Sequence, residues 1–325
     1  MKFRVVKIGN RYSDINIEEE ILAEVDASLE SYKLISEDEI IRVTKNADAI
    51  IADLSEISSK VIRNLKKCKV ISKVGIGVDN IDLKEATKKG IFVCNVPDYC
   101  INEVSDHTIA LILTWSRKIV LMNSMVKKGI WDMNKAKPIK STDKSTLGLV
   151  GFGSISRMVA LKSKVLNFNI IVFDPFIKRK DVEKYEIKLV KFDYLLKKSD
   201  IISIHCPSNE QTHHMFGDKQ FKSMKSSSFL INTSRGPIVN SGSLYRALKK
   251  NIISGAAVDV YDPEPIHDKD PILKLENFII TPHYGFYSES SLKKVRTQSA
   301  LNVVKVLSEE EPINVVNKEI YNRQM

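Results

Sequence analysis

The feature that most constrains the fold of this chain is a regular alternation of short apolar runs with helical stretches. Ten runs of five to eight residues are rich in β-branched side chains, and amphipathic segments separate them. Apolar runs of this kind are typical of parallel strands covered on both faces of their sheet by helices. The runs are FRVVKIG (3–9), ADAIIA (47–52), CKVISKVG (68–75), IFVCNV (91–96), TLGLVG (146–151), IIVFD (170–174), IISIHC (201–206), SFLINT (228–233), AAVDV (256–260) and FIITP (278–282).

The spacing of these runs predicts two α/β domains, each with a doubly wound parallel sheet. The chain of 325 residues is long enough for two cores of ordinary size. Residues 102–128 form one long amphipathic pattern that is expected to join the domains. A second helical pattern, Ser288 to Leu307, lies beyond the last apolar run. We therefore expect a discontinuous domain of residues 1–101 and 288–325 around a domain of residues 102–287.

Composition excludes several other classes of protein. The sequence is 43% hydrophobic and 28% charged, and it contains no run of about 18 apolar residues, so it offers no transmembrane segment. Its start, MKFRVVKIGN, lacks the apolar core of a secretory signal. The four cysteines have neither CxxC nor zinc-ligand spacing. We expect a cytoplasmic protein with reduced thiols, no structural metal and no membrane association.

The formal net charge of +10 raises the question of a nucleic-acid partner. The lysines are scattered along helical patterns, as at Lys66, Lys88, Lys197 and Lys249, and form no basic block interleaved with aromatic residues. Solvated helix faces explain this pattern better than nucleic-acid binding does. The expected partners are small anionic molecules, with no nucleic acid.

A glycine-rich turn, LGLVGFGSIS, follows the fifth apolar run and precedes a helical stretch. Gly151 permits a tight turn, and Gly153 lets the backbone approach a pyrophosphate at the helix N-terminus. Ser156 stands where a third glycine is usual in such turns. The Gly-x-Gly pair alone is a weak signal, since an ordinary strand-to-helix turn can also contain it.

Asp174 strengthens the dinucleotide interpretation. It ends the next run, 23 residues after Gly151, where a carboxylate can accept hydrogen bonds from the adenosine ribose hydroxyls. A carboxylate there also repels a 2′-phosphate, so NAD is favoured over NADP. The cations Lys178, Arg179 and Lys180 follow closely and partly offset that repulsion.

Seven motifs along the chain together resemble the D-isomer-specific 2-hydroxyacid dehydrogenase family. They are VGIGVDNID, NVPDYC, GFGSIS, HCP, INTSRGPIV, DVYDPEP and TPH. Within that family, NVPDYCINEVSDH and TPHYGFYSES resemble the branch of the C-terminal-binding-protein corepressors and their bacterial relatives. The resemblance implies two Rossmann-like or flavodoxin-like domains with a cleft between them: a substrate domain built from both chain ends and a central NAD domain. It also implies a homodimer made largely through the NAD domains.

Three residues match the catalytic positions of the family. Arg235 offers a planar set of donors suited to a carboxylate and a keto oxygen. His283 is then the general acid in reduction and the general base in oxidation. Glu264, 29 residues after Arg235 and 19 before His283, is expected to hydrogen-bond the imidazole and hold its tautomer.

Other positions match cofactor and substrate contacts of the family. Tyr99 matches a substrate-contacting tyrosine of some D-lactate-type relatives, although packing in a core explains it equally well. The backbone of Ile76, Gly77 and Val78 is expected to reach the substrate carboxylate. The resemblance assigns the cofactor to Gly151, Gly153, Ser154, Ile155, Asp174, Cys206, Pro207, Thr233, Ser234, Arg235, Asp259, His283 and Gly285.

Some positions depart from the family pattern. Many relatives carry Arg or Asn where this chain has Ser154, which lowers the positive charge near the pyrophosphate. Tyr284 replaces a smaller residue and is expected to narrow the substrate site. The adjacent His213 and His214 lack an accompanying carboxylate cluster, so they are interpreted as surface or cofactor-loop residues rather than metal ligands.

Two functions are compatible with these residues. The first is an NAD-dependent dehydrogenase of a small D-2-hydroxy acid, of glyoxylate, hydroxypyruvate or phosphoglycerate type. The second is an NAD(H)-sensing, corepressor-like binding protein, because that branch keeps the same three residues. Turnover of a keto acid distinguishes the two, and the intact site favours the enzyme.

Overall fold

The computed structural model describes residues 1–12, 14–33 and 35–323 and contains two compact units. One unit comprises Met1–Cys100 and Ser288–Met325, and the other comprises Ile101–Tyr287. The last two residues of the predicted segment 288–325 lie outside the described residues. The elements of the first part are β1 (Phe3–Ile8), α1 (Asn16–Leu22), β2 (Ala27–Tyr32), α2 (Glu37–Thr44), β3 (Ala49–Ala52), α3 (Ser59–Asn64), β4 (Val70–Lys73), α4 (Leu83–Lys88) and β5 (Phe92–Cys94).

The second unit and the last helix follow in chain order. The elements are α5 (Ile101–Ser116), α6 (Ile119–Lys127), β6 (Thr146–Val150), α7 (Ser154–Val165), β7 (Asn169–Phe173), α8 (Arg179–Glu183), β8 (Lys188–Leu189), α9 (Phe192–Lys198), β9 (Ile201–Ile204), α10 (Asp218–Ser223), β10 (Phe229–Asn232), α11 (Ser241–Lys249), β11 (Gly255–Val258), β12 (Phe278–Ile280) and α12 (Glu289–Leu307). The two parallel-sheet α/β units predicted from the sequence are confirmed.

The first unit is built on a five-stranded parallel sheet in the order β2-β1-β3-β4-β5. Its strands alternate their side chains between two apolar clusters, so Val6 faces one cluster and Val5 the other. Helix α12 packs beside β3 and β4 and supplies Val295 and Val303 to the second cluster. Residues from both ends of the sequence therefore share one core.

A buried ionic cluster also joins these two ends. Glu18 on α1 accepts a hydrogen bond from Lys7 Nζ at 2.6 Å and another from Arg296 Nη2 at 2.6 Å. The side chains of Lys7 and Glu18 are fully buried, and that of Arg296 is 7% exposed. Burial alone would raise the pKa of Glu18, but the hydrogen bonds from Arg296 and Lys7 outweigh it, and the pKa lies below its ordinary value.

The second unit contains a seven-stranded parallel sheet in the order β12-β11-β10-β9-β6-β7-β8. Apolar clusters cover both of its faces, with Ile202 and Leu230 in one cluster and Leu149 and Ile231 in the other. The order reverses between β6 and β9, which are neighbours although β7 and β8 come between them in the chain. In such sheets, ligands bind beyond the carboxyl ends of the strands, near this reversal.

The prediction of one long helix over residues 102–128 is wrong. The chain forms α5 and α6, bent by 57° relative to each other. Lys118, between them, has a φ of +55°, a left-handed conformation that interrupts helical hydrogen bonding. Among the described residues, no single helix is both long and apolar enough to cross a bilayer; the bent pair α5–α6 meets that criterion on length and composition alone.

Candidate active site

Three neighbouring strands end at the segments that carry Arg235, Glu264 and His283. Strands β10, β11 and β12 are adjacent and parallel, so their carboxyl ends lie along one edge of the sheet. Each predicted catalytic residue lies in the loop that follows one of these strands. All three belong to the unit Ile101–Tyr287.

The imidazole of His283 is paired with the carboxylate of Glu264. His283 Nδ1 lies 2.7 Å from Glu264 Oε2, and Glu264 Oε1 accepts a hydrogen bond from the backbone N–H of Tyr261 at 3.0 Å. An ionised carboxylate only accepts hydrogen bonds, so Nδ1 carries a proton and donates it. Nε2 is therefore the nitrogen left to exchange a proton with a ligand. Both side chains are partly exposed, by 43% and 38%.

The carboxylate of Glu264 is held in its ionised form. Its partial burial would raise its pKa, but the hydrogen bond and charge of His283, the N–H of Tyr261 and the charge of Arg235 outweigh that effect and lower the pKa. The three residues singled out in the sequence are thus linked electrostatically. Arg235 is half-buried, and its Nη1 donates to the backbone oxygen of Ser234 at 2.7 Å.

The loops after β10 and β11 approach each other closely beside this group. A Cβ atom at Gly236 would lie 1.9 Å from the backbone oxygen of Tyr261, so only glycine fits there. The side chain of Asn232 fixes the start of the same loop, since its Nδ2 donates to the backbone oxygen of Arg235 at 2.8 Å. Tight backbone packing therefore fixes the loop that carries Arg235 against the loop that carries Glu264.

Asp259 organises the segment that carries His283. Its Oδ1 accepts from Thr281 Oγ1 at 2.5 Å and from the N–H of Tyr284 at 3.1 Å, and its Oδ2 accepts from the N–H of Gly285 at 2.8 Å. The family resemblance assigns Asp259 and Gly285 to the cofactor. The structure gives the carboxylate a role in the loop, and its contact with a cofactor stays a prediction.

His107 is a member of this group that sequence reasoning missed. It lies on α5, and its Nε2 is 3.1 Å from Thr281 Oγ1. Its ring also meets the ring of Tyr284 edge-on, with centroids 5.0 Å apart. A single histidine on an amphipathic helix carries no distinctive signal in one sequence, although it stands within the quoted motif NVPDYCINEVSDH.

The glycine-rich turn fits a dinucleotide. Gly151 has a φ of +90°, and a Cβ atom there would lie 2.8 Å from the backbone nitrogen of Cys206, so the turn requires glycine. Gly153 begins α7, and no heavy atom lies within 4 Å of its missing Cβ position. No side chain caps this 12-residue helix. Exposed Ser154 and half-buried Ile155 form its first turn, and their region is open to an anion.

Asp174 lies beside this turn, at the end of β7. Its Oδ2 accepts from the N–H of Phe152 at 2.9 Å, and its Oδ1 accepts from the N–H of Phe176 at 2.9 Å. Each carboxylate oxygen has a further lone pair for a second donor. The residue is therefore placed, and chemically able, to accept hydrogen bonds from ribose hydroxyls next to the turn.

Four other predicted cofactor residues follow the neighbouring strands β9 and β10. Ser234 Oγ donates to the backbone oxygen of Cys206 at 2.5 Å, which ties the two loops together. Thr233 Oγ1 lies 3.0 Å from Thr108 Oγ1, and Pro207 is exposed. Burial raises the pKa of the Cys206 thiol to about 11, so this sulfur is neutral.

Apart from Arg235, the predicted substrate residues lie in the other unit. The half-buried residues Ile76, Gly77 and Val78 follow β4, and the backbone oxygen of Ile76 accepts from Asn95 Nδ2 at 2.6 Å. Tyr99 packs against the apolar cluster that contains α12, and burial raises its pKa. This environment favours core packing for Tyr99, and its contact with substrate stays a prediction.

In the described part of the chain, no three His, Cys, Asp or Glu side chains are grouped so that they could hold a metal ion. The exposed rings of His213 and His214 stack on each other with centroids 3.9 Å apart. Their arrangement agrees with a surface position.

Comparison with known proteins gives consistent similarities. Residues 109–285 match the family model described as D-isomer specific 2-hydroxyacid dehydrogenase, NAD binding domain. The chain is 36% identical over 287 residues to a glyoxylate reductase from Korarchaeum cryptofilum, covering 86% of each chain. It is 37% identical over 285 residues to a D-3-phosphoglycerate dehydrogenase from Methanocaldococcus jannaschii, covering 87% of this chain and 54% of that one, so it spans about half the length of that relative.

A solved structure is similar over nearly the whole chain. It is the D-lactate dehydrogenase from Aquifex aeolicus complexed with NAD and lactic acid, with a TM-score of 0.88 and 29% identity. The match covers 96% of this chain and 99% of that one.

Proposed function

The chain belongs to the D-isomer-specific 2-hydroxyacid dehydrogenase family, and we propose that it interconverts a small 2-keto acid and its D-2-hydroxy acid with NAD(H). The observation that carries this proposal is the pairing of His283 Nδ1 with Glu264 Oε2, which leaves Nε2 as the proton-exchanging atom. The family supplies the reaction class. The assignment of roles to individual residues is our proposal.

In the direction of reduction, Arg235 binds the acid and polarises its keto group. A dinucleotide held at the glycine-rich turn would supply the hydride that reduces the keto carbon. His283 Nε2 gives its proton to the keto oxygen, which becomes the hydroxyl, and the ring is left neutral. The negative charge of Glu264 stabilises the ring while it holds two protons, and it fixes the ring orientation through Nδ1.

NAD is the proposed cofactor, in agreement with the family model. Gly151 and Gly153 leave room for a pyrophosphate at the start of α7, and Asp174 places a negative charge where the ribose hydroxyls are expected. That charge disfavours the 2′-phosphate of NADP.

The proposed substrates are glyoxylate and acids of similar size. Glyoxylate reductases match 86% of this chain and 86% of their own length. Tyr284, directly after His283, has a half-exposed ring that packs edge-on against the ring of His107, and we propose that this bulky side chain limits the size of the substrate. Phosphohydroxypyruvate is the first larger substrate to test, because phosphoglycerate dehydrogenases also match this chain.

The experiment that tests this function is a panel of keto acids with NADH and, separately, NADPH, followed by absorbance of the reduced nicotinamide. Glyoxylate, hydroxypyruvate, pyruvate, 2-ketobutyrate, phenylpyruvate and phosphohydroxypyruvate make up the panel. We expect turnover with NADH, fastest with the small acids. NADH binding without turnover of any acid would contradict the proposal and favour a sensing role.

We further infer a homodimer made through the NAD-binding unit. Helix α6 buries none of its residues within the single chain. The exposed apolar residues on and after it include Ile119 and Val120, together with Trp131 at 88% and Met133 at 74% exposure. Large exposed apolar side chains, close together in sequence, are a feature of protein interfaces. Light scattering after gel filtration is expected to give twice the chain mass, and Trp131→Glu is expected to shift it towards the monomer.

A further inference from the structure

His107 begins a chain of hydrogen bonds that ends at the segment of the proposed catalytic histidine. His107 Nε2 lies 3.1 Å from Thr281 Oγ1, and Thr281 Oγ1 donates to Asp259 Oδ1 at 2.5 Å. The side chains of His107 and Asp259 are 12% and 4% exposed. This path of hydrogen bonds therefore links two largely buried side chains through the partly buried Thr281.

The chemistry of this chain determines which nitrogen of His107 holds the proton. A threonine hydroxyl has one proton, and here it is used towards the carboxylate of Asp259. Thr281 must then accept from His107, so Nε2 is the protonated nitrogen. Burial lowers the pKa of His107, although the charge of Asp259 opposes that effect, and the lowered pKa favours the neutral ring.

Asp259, at the end of this path, accepts hydrogen bonds from the backbone N–H groups of three consecutive residues. Its backbone oxygen accepts from the N–H of His283 at 2.8 Å, while its side chain accepts from the N–H groups of Tyr284 and Gly285. His283 has a φ of +51°, a conformation that a non-glycine residue keeps only where its surroundings impose it. The hydrogen bonds to Asp259 are such surroundings.

The ring of His107 also shapes the space beside this segment. A Cβ atom at Gly285 would lie 2.9 Å from Asp259 Oδ2 and 3.0 Å from His107 Cδ2. The edge of the imidazole meets the ring of Tyr284. The segment from His283 to Gly285 is thus confined by the carboxylate on one side and by the histidine on the other.

We propose that His107 is a positioning residue: through Thr281 and Asp259 it holds the backbone that aims the imidazole of His283. This inference rests on the proposed function, in which His283 exchanges the proton. It assigns to helix α5, far from the catalytic segments in sequence, a part in the chemical step.

Substitutions can separate the hydrogen bond from the ring. His107→Phe keeps an aromatic ring beside Tyr284 and cannot donate, whereas His107→Gln keeps an N–H at a similar reach and loses the ring. We expect His107→Phe to lower kcat about tenfold, the effect of losing one well-placed hydrogen bond, while KM stays within about twofold. His107→Gln is expected to recover most of that loss. A kcat for His107→Phe within about twofold of the wild type overturns the proposal.

Thr281→Val tests whether His107 and Thr281 act through the same path of hydrogen bonds. Valine matches threonine in shape and lacks the hydroxyl, so this variant is also expected to lose about tenfold in kcat. Because both variants break the same chain, the double variant is expected to be no slower than either single one. If the fold reduction of kcat in the double variant equals the product of the two single reductions, the shared path is refuted.

A measurement independent of turnover distinguishes failure of this inference from failure of the proposed function. Long-range ¹H–¹⁵N spectra of the histidine rings report which nitrogen is protonated. We expect His107 as the neutral Nε2–H form, and we expect His107→Phe to shift the His283 signals. An Nδ1–H form of His107, or unchanged His283 signals, overturns the inference. Absence of turnover in the wild type alone would refute the proposed function and leave this spectrum to decide on His107.

Discussion

His283 Nδ1 and Glu264 Oε2 lie 2.7 Å apart, although 19 residues separate them in the sequence. The distance follows from the sheet: β11 and β12 are adjacent and parallel, so the loops after them leave from the same edge. The order of the strands therefore brings the motif that contains Glu264 next to the motif that contains His283.

The first prediction concerns His283 itself. Replacement His283→Ala removes the proton carrier, so kcat is expected to fall by about a hundredfold or more. The dissociation constant of NADH, measured by fluorescence, is expected to change little. His267→Ala, at a histidine of the same unit that is 72% exposed, is the matched control and should behave as the wild type. Retained turnover in His283→Ala would refute the assigned role.

The two glycines of the nucleotide turn are expected to respond differently to the same change. In Gly151→Ala the new Cβ meets the backbone of Cys206 at a φ of +90°, so the melting temperature should fall. Gly153→Ala meets no atom of the protein and should melt as the wild type does. Its NADH affinity should nevertheless drop by about tenfold if a pyrophosphate occupies that space. Unchanged affinity in Gly153→Ala would contradict a pyrophosphate at that position.

Asp174 is expected to set the choice of cofactor. Asp174→Ala removes the negative charge beside the turn, so the ratio of kcat/KM with NADH to that with NADPH should fall by about tenfold. Asp174→Asn removes the charge but keeps one carbonyl oxygen, which can accept from one of the two backbone N–H groups that Asp174 holds. Asp193→Ala, an exposed carboxylate of the same unit, is the control. An unchanged ratio in both Asp174 variants would refute the assignment.

The buried cluster around Glu18 predicts a pH-dependent loss of stability. Glu18→Gln leaves Lys7 and Arg296 without a buried counter-charge, which is expected to cost roughly 3–5 kcal/mol at pH 7. The pKa of Glu18 is lowered in the folded protein, so its contribution is complete above the unfolded value of about 4.3 and is lost as pH falls through the folded value.

Urea unfolding at several pH values between 7 and 3 tests this relation. The difference in stability between the wild type and Glu18→Gln should narrow as the solution becomes more acidic. Glu56→Gln, at an exposed position, is the control and should change stability by less than about 0.5 kcal/mol. A difference independent of pH would show that the charge of Glu18 does not stabilise the fold.

The apolar runs predicted most of the two sheets because buried parallel strands need continuous apolar sequence. Strand β2, with the sequence ASLESY, lies at the edge of its sheet and contains three polar residues among six, so it lacks a continuous apolar run. Strand β8 has only two residues and is too short to be recognised. The break between α5 and α6 at Lys118 could not be predicted either, because a lysine gives no sequence signal for a left-handed conformation within an amphipathic pattern.

The site could be predicted where a residue type carries chemistry in a recognisable motif. Arg235, Glu264 and His283 are of this kind, and their segments do lie at one sheet edge. The hydrogen bonds of Asp259 could not be predicted, because they depend on how the chain turns after β12. His107 comes from a different part of the sequence, and only the folded chain brings it to Thr281.

The shared core of β3, β4 and α12 has a consequence for the order of events during synthesis. The unit Ile101–Tyr287 is continuous and can fold as soon as it leaves the ribosome. Residues 1–100 emerge earlier, yet one face of their sheet lacks Val295 and Val303, and Glu18 lacks Arg296. We therefore expect the unit Ile101–Tyr287 to become protease-resistant first in nascent chains. Until α12 has been made, the strands of residues 1–100 are expected to expose an apolar face that chaperones can bind.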